Sequence, residues 1–581
     1  MIVIGVGGNV IILHDSSSPD LSHIQAMADI NEGFALFDYV CITQADRKTW
    51  IGQIVQPNQN ISIVGSRLDP TILHGLKLMH SHKDVKSIES VQIFDILILG
   101  QYEGSQMLTP RIRPMPGSNV TKLGAEETSQ LIELPAKAEH SDGISNAIGE
   151  LLNADNVPLC IVPEKFNYHI MVAGGTGSGK SNVAANLIYQ ARKYNKCVLV
   201  HDAKPDYGLV DLANTDQRVK SVWERFKKYK LQPCGAESII RVGFKGMCDP
   251  DKVDRVVGFK ASDFLPDMLA SLFFVGSTPA EQNAFEGFAG ATYALYLSMR
   301  NEPNGRYRNG YSISDILDEV RRRSDPEHPP TNPQEVIHPS TGSSIQRKVA
   351  QRQRAMPWLD VVGQTISNKP ASRLGNTILE RDQGYSQVRR VEAFDINKYA
   401  TQGKLIIIDY EHMDEQSYAL LLSYFLRECQ RFRKKRGPIG IIQLVDEAHR
   451  VFDNDSRHSL TLAHAFERVM REGRSVDHSI ILSLQNASQI PNRVMNNLNT
   501  KIVMRQNSKV EADAATQTMG KDFALQSMRL GPGHALVSMY ESRATVLVQM
   551  TPSPFELMRN DNSNKDVVVQ QTEEVEDDLD F

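Results

Sequence analysis

Short apolar runs alternate along most of the chain with longer segments in which apolar residues recur on one helical face. His169–Ala173, Lys196–Val200 and Lys404–Asp409 have the length and composition of buried strands. Residues 182–193 and 415–433, which follow two of these runs, have the spacing of amphipathic helices. Because buried strands that alternate with helices form parallel sheets, the pattern predicts an α/β fold with a mainly parallel sheet.

The same pattern continues towards the C-terminus, with one long interruption. Five later apolar runs are predicted to be strands of this sheet: Ile441–Val445, Ser479–Leu484, Thr500–Met504, His534–Met539 and Arg543–Met550. Between about residues 210 and 400, helical patterns at Ala261–Met299 and Ser344–Met356 are separated by loops rich in Pro, Gly and Asn. We therefore expect one α/β domain over residues 141–555, interrupted by a helical insertion.

The first 135 residues have a different pattern, in which short β-branched or aromatic runs are separated by turn residues. The runs are Met1–Leu13, Phe37–Ile42, Trp50–Gln56, Ile61–Val64 and Val91–Leu99. Many short strands in so few residues favour a small β-barrel, which we expect to form an N-terminal domain over residues 1–140. The polar segment Pro135–Asp142 is predicted to be the linker to the next domain.

The end of the chain is strongly acidic. Residues 556–581 finish in EEVEDDLDF and contain few apolar side chains that could pack in a core. We expect this tail to be disordered until a partner binds it.

The most informative stretch is FNYHIMVAGGTGSGKS, which ends at Ser181. A strand, a glycine-rich turn and a helix follow one another here, as a phosphate-binding loop requires. Glycines allow successive backbone N–H groups to face a polyphosphate, and the following helix contributes its positive N-terminal end. Lys180 is then expected to reach the β- and γ-phosphates and Ser181 to hold Mg²⁺. The predicted nucleotide-binding residues are Gly174, Gly175, Thr176, Gly177, Ser178, Gly179, Lys180, Ser181 and Asn182.

The second half of such a site is predicted where another strand ends. Asp446 and Glu447 follow the apolar run Ile441–Val445, and parallel strands present their carboxyl ends to a ligand. In this position Asp446 would orient Mg²⁺, and Glu447 would polarise the water that attacks the terminal phosphate. Two adjacent acids after a strand can also form a solvated turn, but the phosphate-binding loop favours the catalytic interpretation.

Composition limits the remaining possibilities. The 581-residue chain is 41% hydrophobic and 23% charged, as expected of a globular protein with several domains. It contains no signal-peptide pattern and no apolar stretch of membrane-spanning length, so we expect a cytoplasmic protein with no membrane contact. The six cysteines lack C-x-x-C spacing and predict neither a zinc site nor disulfides. With a net charge of −5, contact with nucleic acid would depend on a local surface such as a pore lining.

Four features together resemble the HerA-like branch of the HerA/FtsK family of ring-forming ATPases. They are the GGTGSGKS loop, the VDEAHR acidic pair, the REGR segment and a glutamine, Gln485, at a strand end. In that family an arginine precedes the glutamine by eleven residues, as Arg474 precedes Gln485 here. The N-terminal barrel and the insertion are similar too, so the resemblance covers nearly the whole chain and implies a RecA-like P-loop NTPase core. The chain departs from the family at Asp202–Tyr207, where DAKPDY stands in place of D-x-H-G-E-Y, and this leaves open what the loop contacts.

The resemblance also implies roles for the site residues. It implies ATP and Mg²⁺ as cofactors, with Glu447 as the general base and Gln485 as a sensor of the γ-phosphate. Arg474 would be an arginine finger that reaches the site of a neighbouring subunit, with Arg471 as the alternative. An arginine suits this role because its guanidinium stabilises the negative charge of the phosphoryl transition state.

The same resemblance implies an assembly and partners. We expect a homohexamer that translocates double-stranded DNA through its pore, and an N-terminal barrel that binds a separate effector such as a nuclease or a sirtuin-like NAD-consuming enzyme. Roles in DNA repair and in phage defence both remain open, as does a nucleotide-regulated scaffold with little translocation. A small-molecule kinase is disfavoured by the long separation between Ser181 and Asp446, and a membrane-bound coupling protein by the absence of apolar spans.

Overall fold

The computed structural model of the 581-residue chain describes residues 10–13, 23–29, 33–55, 59–62, 90–103, 106–115, 118–154, 156–276, 278–302, 304–364, 390–435, 437, 439–452, 457–520, 522–540, 542 and 544–558. Within these residues the strands are β1 (Val10–Leu13), β2 (His23–Asp29), β3 (Tyr39–Thr43), β4 (Thr49–Ile54), β5 (Gln59–Ser62), β6 (Ser90–Glu103), β7 (Gln106–Leu108), β8 (Asn119–Lys122), β9 (Ala147–Leu151), β10 (Pro158–Cys160), β11 (Ile170–Ala173), β12 (Cys197–Asp202), β13 (Ile239–Phe244), β14 (Arg255–Gly258), β15 (Glu392–Ala393), β16 (Leu405–Asp409), β17 (Ile441–Val445), β18 (His478–Leu484), β19 (Thr500–Met504), β20 (His534–Ser538) and β21 (Val546–Met550).

The α-helices of the described residues are α1 (Ala125–Leu131), α2 (Pro163–Phe166), α3 (Lys180–Lys193), α4 (Lys220–Phe226), α5 (Pro266–Phe273), α6 (Pro279–Asn301), α7 (Ile313–Arg323), α8 (Pro339–Gln353), α9 (Ile396–Tyr399), α10 (Glu415–Lys434), α11 (Arg457–Val476), α12 (Asn492–Met495), α13 (Lys509–Thr516) and α14 (Asp522–Ser527). Within this part of the chain, none of the helices combines the length and apolar character needed to cross a membrane.

The N-terminal strands pair in a closed ring. In the described residues they follow the order β2-β1-β8-β3-β4-β6, and β6 pairs again with β2. The length of β6 allows both pairings, since its residues 91–97 lie beside β2 and its residues 96–102 beside β4. Trp50, Phe94 and Ile96 are buried in a hydrophobic core that belongs to these strands.

The second sheet carries the phosphate-binding loop. Its described strands follow the order β10-β9-β21-β20-β19-β11-β18-β17-β12-β16-β13-β14-β15. Every pairing from β19 to β15 is parallel, whereas β20, β21, β9 and β10 are added antiparallel at the other end. The carboxyl ends of β11, β12, β17 and β18 therefore meet at one edge, where parallel sheets bind their ligands.

The segment between residues 210 and 400 differs from the helical insertion expected there. Helices α5 to α8 form within it, but β13, β14 and β15 also form and extend the central sheet beyond β16. The apolar runs of β13 and β14 are six and four residues long, and Pro- and Gly-containing turns separate them. Such short runs become strands because the exposed edge of β16 supplies hydrogen-bond partners, which the sequence pattern does not indicate.

The segment predicted as a polar linker packs against α3, which follows β11 of the second sheet. The His140 Nε2 atom lies 2.7 Å from Gln190 Oε1 on α3, and its ring meets that of Tyr194 edge-on. Farther along the boundary, Gln53 donates to the Thr545 carbonyl at 2.8 Å and so ties β4 to the second sheet. The N-terminal strands and the linker segment are therefore joined to the second sheet by polar contacts as well as by the chain.

The start of the predicted acidic tail is packed as well. Phe555, Glu556 and Leu557 are 1%, 2% and 5% exposed, and Glu556 accepts hydrogen bonds from the backbone N–H and hydroxyl of Thr215. Residues 559–581, which hold most of the acidic side chains of this tail, lie outside the described residues. At the other end of the chain, the glycine-containing segment Ile4–Gly8 (IGVGG) lies outside them too.

Buried histidines connect the strands of the central sheet. His169, just before β11, accepts from the Ile480 N–H through Nδ1 and donates to the Met470 carbonyl through Nε2. In β12 and β18, His201 and His478 are linked through Gln443 at 2.8 Å on each side. Burial lowers the pKa of His169 and His201 to about 4 and of His478 to about 3, so these rings are neutral at neutral pH.

We expect stability to fall in mild acid because of these rings. A histidine whose pKa is depressed in the folded protein contributes stability above about pH 6.5 and loses it as the pH falls towards 4, since the unfolded chain takes up the proton first. For His169 the loss between about pH 7.5 and 5 is about 2 kcal/mol. In chemical denaturation at both pH values, His169→Gln should remove this part of the pH dependence. His328→Gln, at an exposed position, should leave it unchanged; equal pH dependence in both variants would contradict the assignment.

Candidate functional site

The glycine-rich loop Gly174–Gly179 lies at the carboxyl end of β11, in the middle of the central sheet. Neighbouring strands fix its backbone: the Gly174 N–H donates to the Leu484 carbonyl at 3.1 Å, and the Gly175 N–H donates to the Arg505 carbonyl at 2.8 Å. The start of the loop is therefore held between the ends of β18 and β19.

Steric requirements explain the glycines. Gly177 and Gly179 have φ of 75° and 103°, in the left-handed region that favours glycine. Gly175 is needed for space, because a Cβ atom there would lie 2.3 Å from Asn507 Nδ2. The hydroxyl of Ser178 is buried in the same turn. The loop ends at the N-terminus of α3, where free backbone N–H groups and the helix dipole attract an anion.

Lys180 begins α3 with its side chain buried. It is 7% exposed, and burial lowers the pKa of its ammonium, an effect that the nearby carboxylates of Glu447 and Asp446 oppose. The loop cation and the acidic pair, which are distant in sequence, are therefore neighbours in the fold.

The remaining predicted loop residues have different surroundings. The Ser181 hydroxyl donates to Asp206 Oδ2 at 2.7 Å. Thr176 is exposed. Asn182 faces the C-terminal segment instead, because its Oδ1 atom accepts from the Ser553 N–H at 3.2 Å. Its side chain thus supports the packing of α3 rather than the loop.

Asp446 lies directly after β17 and is buried. Its N–H donates to the His201 carbonyl, and its own carbonyl accepts from the Tyr418 hydroxyl, both at 3.2 Å. Its Oδ2 atom is enclosed without a hydrogen-bond partner among the described residues. Burial raises the pKa of this carboxyl to about 7. A nearby cation would stabilise the ionised form of this buried carboxyl.

Glu447 has a strained backbone and several side-chain partners. Its φ of 49° and ψ of 39° lie in the left-handed region, which is costly for a residue other than glycine. Its Oε1 atom accepts from Gln485 Nε2 at 2.7 Å and pairs with Lys204 Nζ at 3.1 Å, while Oε2 lies 3.5 Å from His449 Nε2. Gln485 reaches it because β18 ends between β11 and β17.

The loop after β12, whose contacts the sequence left open, forms one wall of the site. The Asp202 carboxylate accepts from the Tyr207 N–H at 3.1 Å, and the Ala203 carbonyl accepts from Arg450 Nη1 at 3.0 Å. Burial and the charge of Asp446 raise the pKa of Asp202 well above its usual range. The DAKPDY sequence departs from the family pattern at this loop. The contacts of the loop could not be predicted from that difference, because they depend on where β12 ends relative to β17.

Arg474 lies on the far side of the sheet from this site. It is exposed near the end of α11, just before β18, whereas Gln485 follows β18. A strand of that length separates the two by roughly 20 Å. The Arg474 guanidinium stacks 4.4 Å from the centre of the Tyr168 ring. Arg471, the alternative, pairs with Glu467 at 2.7 Å.

The chemistry of the donors suits Mg²⁺ bound together with phosphates. In the described residues no three His, Cys, Asp or Glu side chains are arranged to hold a metal by themselves. Mg²⁺ typically uses one or two protein groups plus substrate phosphates and water. The hydroxyl of Ser181 and the unpartnered Oδ2 of Asp446 provide such groups.

Comparison with known proteins relates the chain to one family. Residues 146–429 match the family model described as "Helicase HerA, central domain". The DNA double-strand break repair helicase HerA of Sulfurisphaera tokodaii is 22% identical over 457 residues, which span 76% of this chain and 74% of that protein. The HerA helicase of Saccharolobus solfataricus is 26% identical over 163 residues, which span 26% of this chain and 32% of that protein.

Two solved structures show a weaker likeness to the chain. VirB4 of Thermoanaerobacter pseudethanolicus matches 72% of this chain and 99% of its own at 12% identity and a TM-score of 0.46. The bacterial conjugative coupling protein TrwB matches 75% of this chain and 94% of its own at 10% identity and a TM-score of 0.45. These scores are too low to relate the folds in detail.

We expect Gly179→Ala to weaken nucleotide binding at least tenfold, because a φ of 103° is strained for a residue with a Cβ atom and the loop would have to shift. Titration of a fluorescent ATP analogue measures the effect. Gly290→Ala on α6, where the nearest atom to a new Cβ is 3.7 Å away, should bind like the wild type. Wild-type affinity in Gly179→Ala would contradict the assignment of the nucleotide to this loop.

Proposed function

We propose that the chain is a HerA-like ATPase of the HerA/FtsK family and that it hydrolyses ATP to drive the translocation of double-stranded DNA. The observation that carries this proposal is the meeting of the Gly174–Ser181 loop with Asp446, Glu447 and Gln485 at one edge of the sheet. A triphosphate at the loop would lie beside a carboxylate that can activate water. The names of the HerA relatives support DNA as the substrate.

Binding of the nucleotide is assigned to the loop and the first turn of α3. Lys180 would neutralise charge on the β- and γ-phosphates, and the helix N-terminus would donate N–H groups to them. Ser181 and Asp446 would hold Mg²⁺, which supplies further neutralisation of phosphate charge when bound. Asp446 carries a full negative charge only above its raised pKa of about 7, so a cation would also favour its ionised form.

Hydrolysis is assigned to Glu447. Its carboxylate would take a proton from a water molecule as the water oxygen forms a bond to the γ-phosphorus and the bond to the β-phosphate oxygen breaks. Gln485 holds one oxygen of Glu447 by its side-chain amide, and the left-handed backbone fixes where the carboxylate points. Together these contacts orient the base before ATP arrives.

A ring of six subunits would complete each site. Arg474 cannot reach the phosphate loop of its own subunit from the opposite edge of the sheet, and its guanidinium is exposed. In a ring, that edge would face the loop of the next subunit, so that the arginine could stabilise the transition state there. The Tyr168 ring would hold the guanidinium in an extended position.

We propose that a separate effector protein binds the ring and adds a further activity. We assign its binding to the N-terminal domain, where Leu108, Ile112 and Met115 are exposed apolar side chains available to a partner. A nuclease would fit a role in DNA end processing, and a nuclease or sirtuin-like NAD-consuming enzyme would fit phage defence. Co-purification of such a protein with the full chain, and its loss with Ile112→Asp and Met115→Asp, would test this assignment.

The hydrolysis mechanism predicts different defects in two variants. Lys180→Ala should lose turnover and most ATP affinity, because phosphate charge is no longer neutralised. Glu447→Gln should still bind ATP but hydrolyse it at least a hundredfold more slowly, because an amide does not accept the proton. Phosphate release and binding of a fluorescent ATP analogue measure the two steps. Wild-type turnover in Glu447→Gln would remove it as the base.

The ring predicts that two inactive variants can complement each other. Arg474→Ala should bind ATP through its own loop but lose most hydrolysis, because the adjacent site lacks its guanidinium. Rings mixed from Arg474→Ala and Lys180→Ala subunits should regain part of the activity, since some interfaces then combine an intact loop with an intact arginine. Arg468→Ala, which removes another exposed arginine of α11, is the matched control. If Arg474→Ala is fully active, Arg474 is not the finger.

A further inference from the structure

The loop after β12 brings a second lysine to the carboxylate that we assign as the base. Lys204 Nζ lies 3.1 Å from Glu447 Oε1, the oxygen that also accepts from Gln485. Oε2 lies near His449, whose pKa is lowered by burial, so that this ring is neutral at neutral pH. Lys204 is therefore a positively charged side chain in direct contact with this carboxylate.

While this ion pair is intact, both Lys204 and Gln485 occupy Oε1 of Glu447. A general base must come within hydrogen-bond reach of the water that it activates. Movement of the Lys204 ammonium away from Oε1 would open that oxygen to the water. Glu447 would keep the hydrogen bond from Gln485, and hence its orientation, after such a movement.

The surroundings of Lys204 allow its ammonium to move while its backbone stays fixed. The loop is held on both sides, by the contacts of Ala203 with Arg450 and of Asp202 with the Tyr207 N–H. The Lys204 side chain, in contrast, is 46% exposed, whereas that of Glu447 is 6% exposed. A lysine has a flexible four-carbon stem, so its charge can change partners without a change in the fold.

The same loop lies over the phosphate-binding turn. Two residues after Lys204, Asp206 accepts a hydrogen bond from Ser181 at 2.7 Å. Lys204 is thus near the place where the terminal phosphate would lie, and a γ-phosphate carries more negative charge than a carboxylate.

We propose that Lys204 is a further residue of the ATP site, whose ammonium exchanges Glu447 for the γ-phosphate when ATP binds and thereby frees Glu447 to accept the proton of the attacking water. The inference rests on the proposed ATP hydrolysis and goes beyond it by giving the DAKPDY loop a catalytic role. Lys204 then acts in the same subunit as the phosphate loop, and it complements an arginine supplied by a neighbour.

The test compares Lys204→Ala with Lys204→Arg and with Lys227→Ala, a control in which an exposed lysine paired with Glu224 is removed. Lys204→Ala should bind fluorescent ADP within about twofold of wild type. It should bind the same ADP with aluminium fluoride, which imitates the transferring phosphate, at least tenfold more weakly, and kcat should fall at least tenfold. Lys204→Arg should keep a third or more of the wild-type kcat, because the charge is retained.

Three results would overturn the inference. Lys204→Ala with the kcat and affinities of Lys227→Ala would reduce the contact to a surface ion pair. A kcat above wild type would make Lys204 an inhibitor of the base, without a role at the phosphate. Equal loss of affinity for ADP with and without aluminium fluoride would indicate a structural role. Failure of the proposed function is distinguishable, because the wild-type protein would then show no ATP turnover at all.

Discussion

The repulsion between carboxylates buried at the carboxyl edge of the central sheet is the constraint on which the site depends. Asp202, Asp206 and Asp446 each have a pKa raised by burial, and the charge of Asp206 raises the pKa of the other two further. Burying such a cluster of carboxylates destabilises the folded protein unless nearby cations neutralise its negative charge. Lys180 and Lys204 supply part of the neutralising charge within the chain. Mg²⁺ with a nucleotide would supply more, so the folded site favours the ligands that its chemistry requires.

The parallel sheet explains why these groups meet. β11, β17 and β18 are distant in sequence but adjacent in the order of strands, and all three end at the same edge. The same geometry sends Arg474 to the opposite edge, because it precedes β18 whereas Gln485 follows it. β18 thus connects Gln485, which contacts Glu447, to Arg474, which we assign to the site of a neighbouring subunit. In a ring of subunits, the residues at both ends of β18 would take part in a site.

Much of the central sheet could be predicted because its strands are continuous apolar runs. The predicted strand Ile441–Val445 is confirmed with the same bounds, and the helix predicted to start at Glu415 does so and ends at Lys434. β8 was missed because three of its four side chains, in NVTK, are polar and only Val120 is buried. Its place in the sheet comes from backbone pairing with β3. The roles of Lys204 and Asp206 could not be predicted from the sequence either. Their contacts with Glu447 and Ser181 arise from the packing of β12 beside β17, which no local pattern encodes.

The most direct test of the central claim is a structure of the Glu447→Gln variant determined with ATP and Mg²⁺. The account predicts an intact triphosphate over the backbone of Gly174–Ser181, with the metal next to Ser181 and the γ-phosphate facing residue 447. A triphosphate bound elsewhere on the chain, or none at saturating ATP in a folded protein, would contradict it.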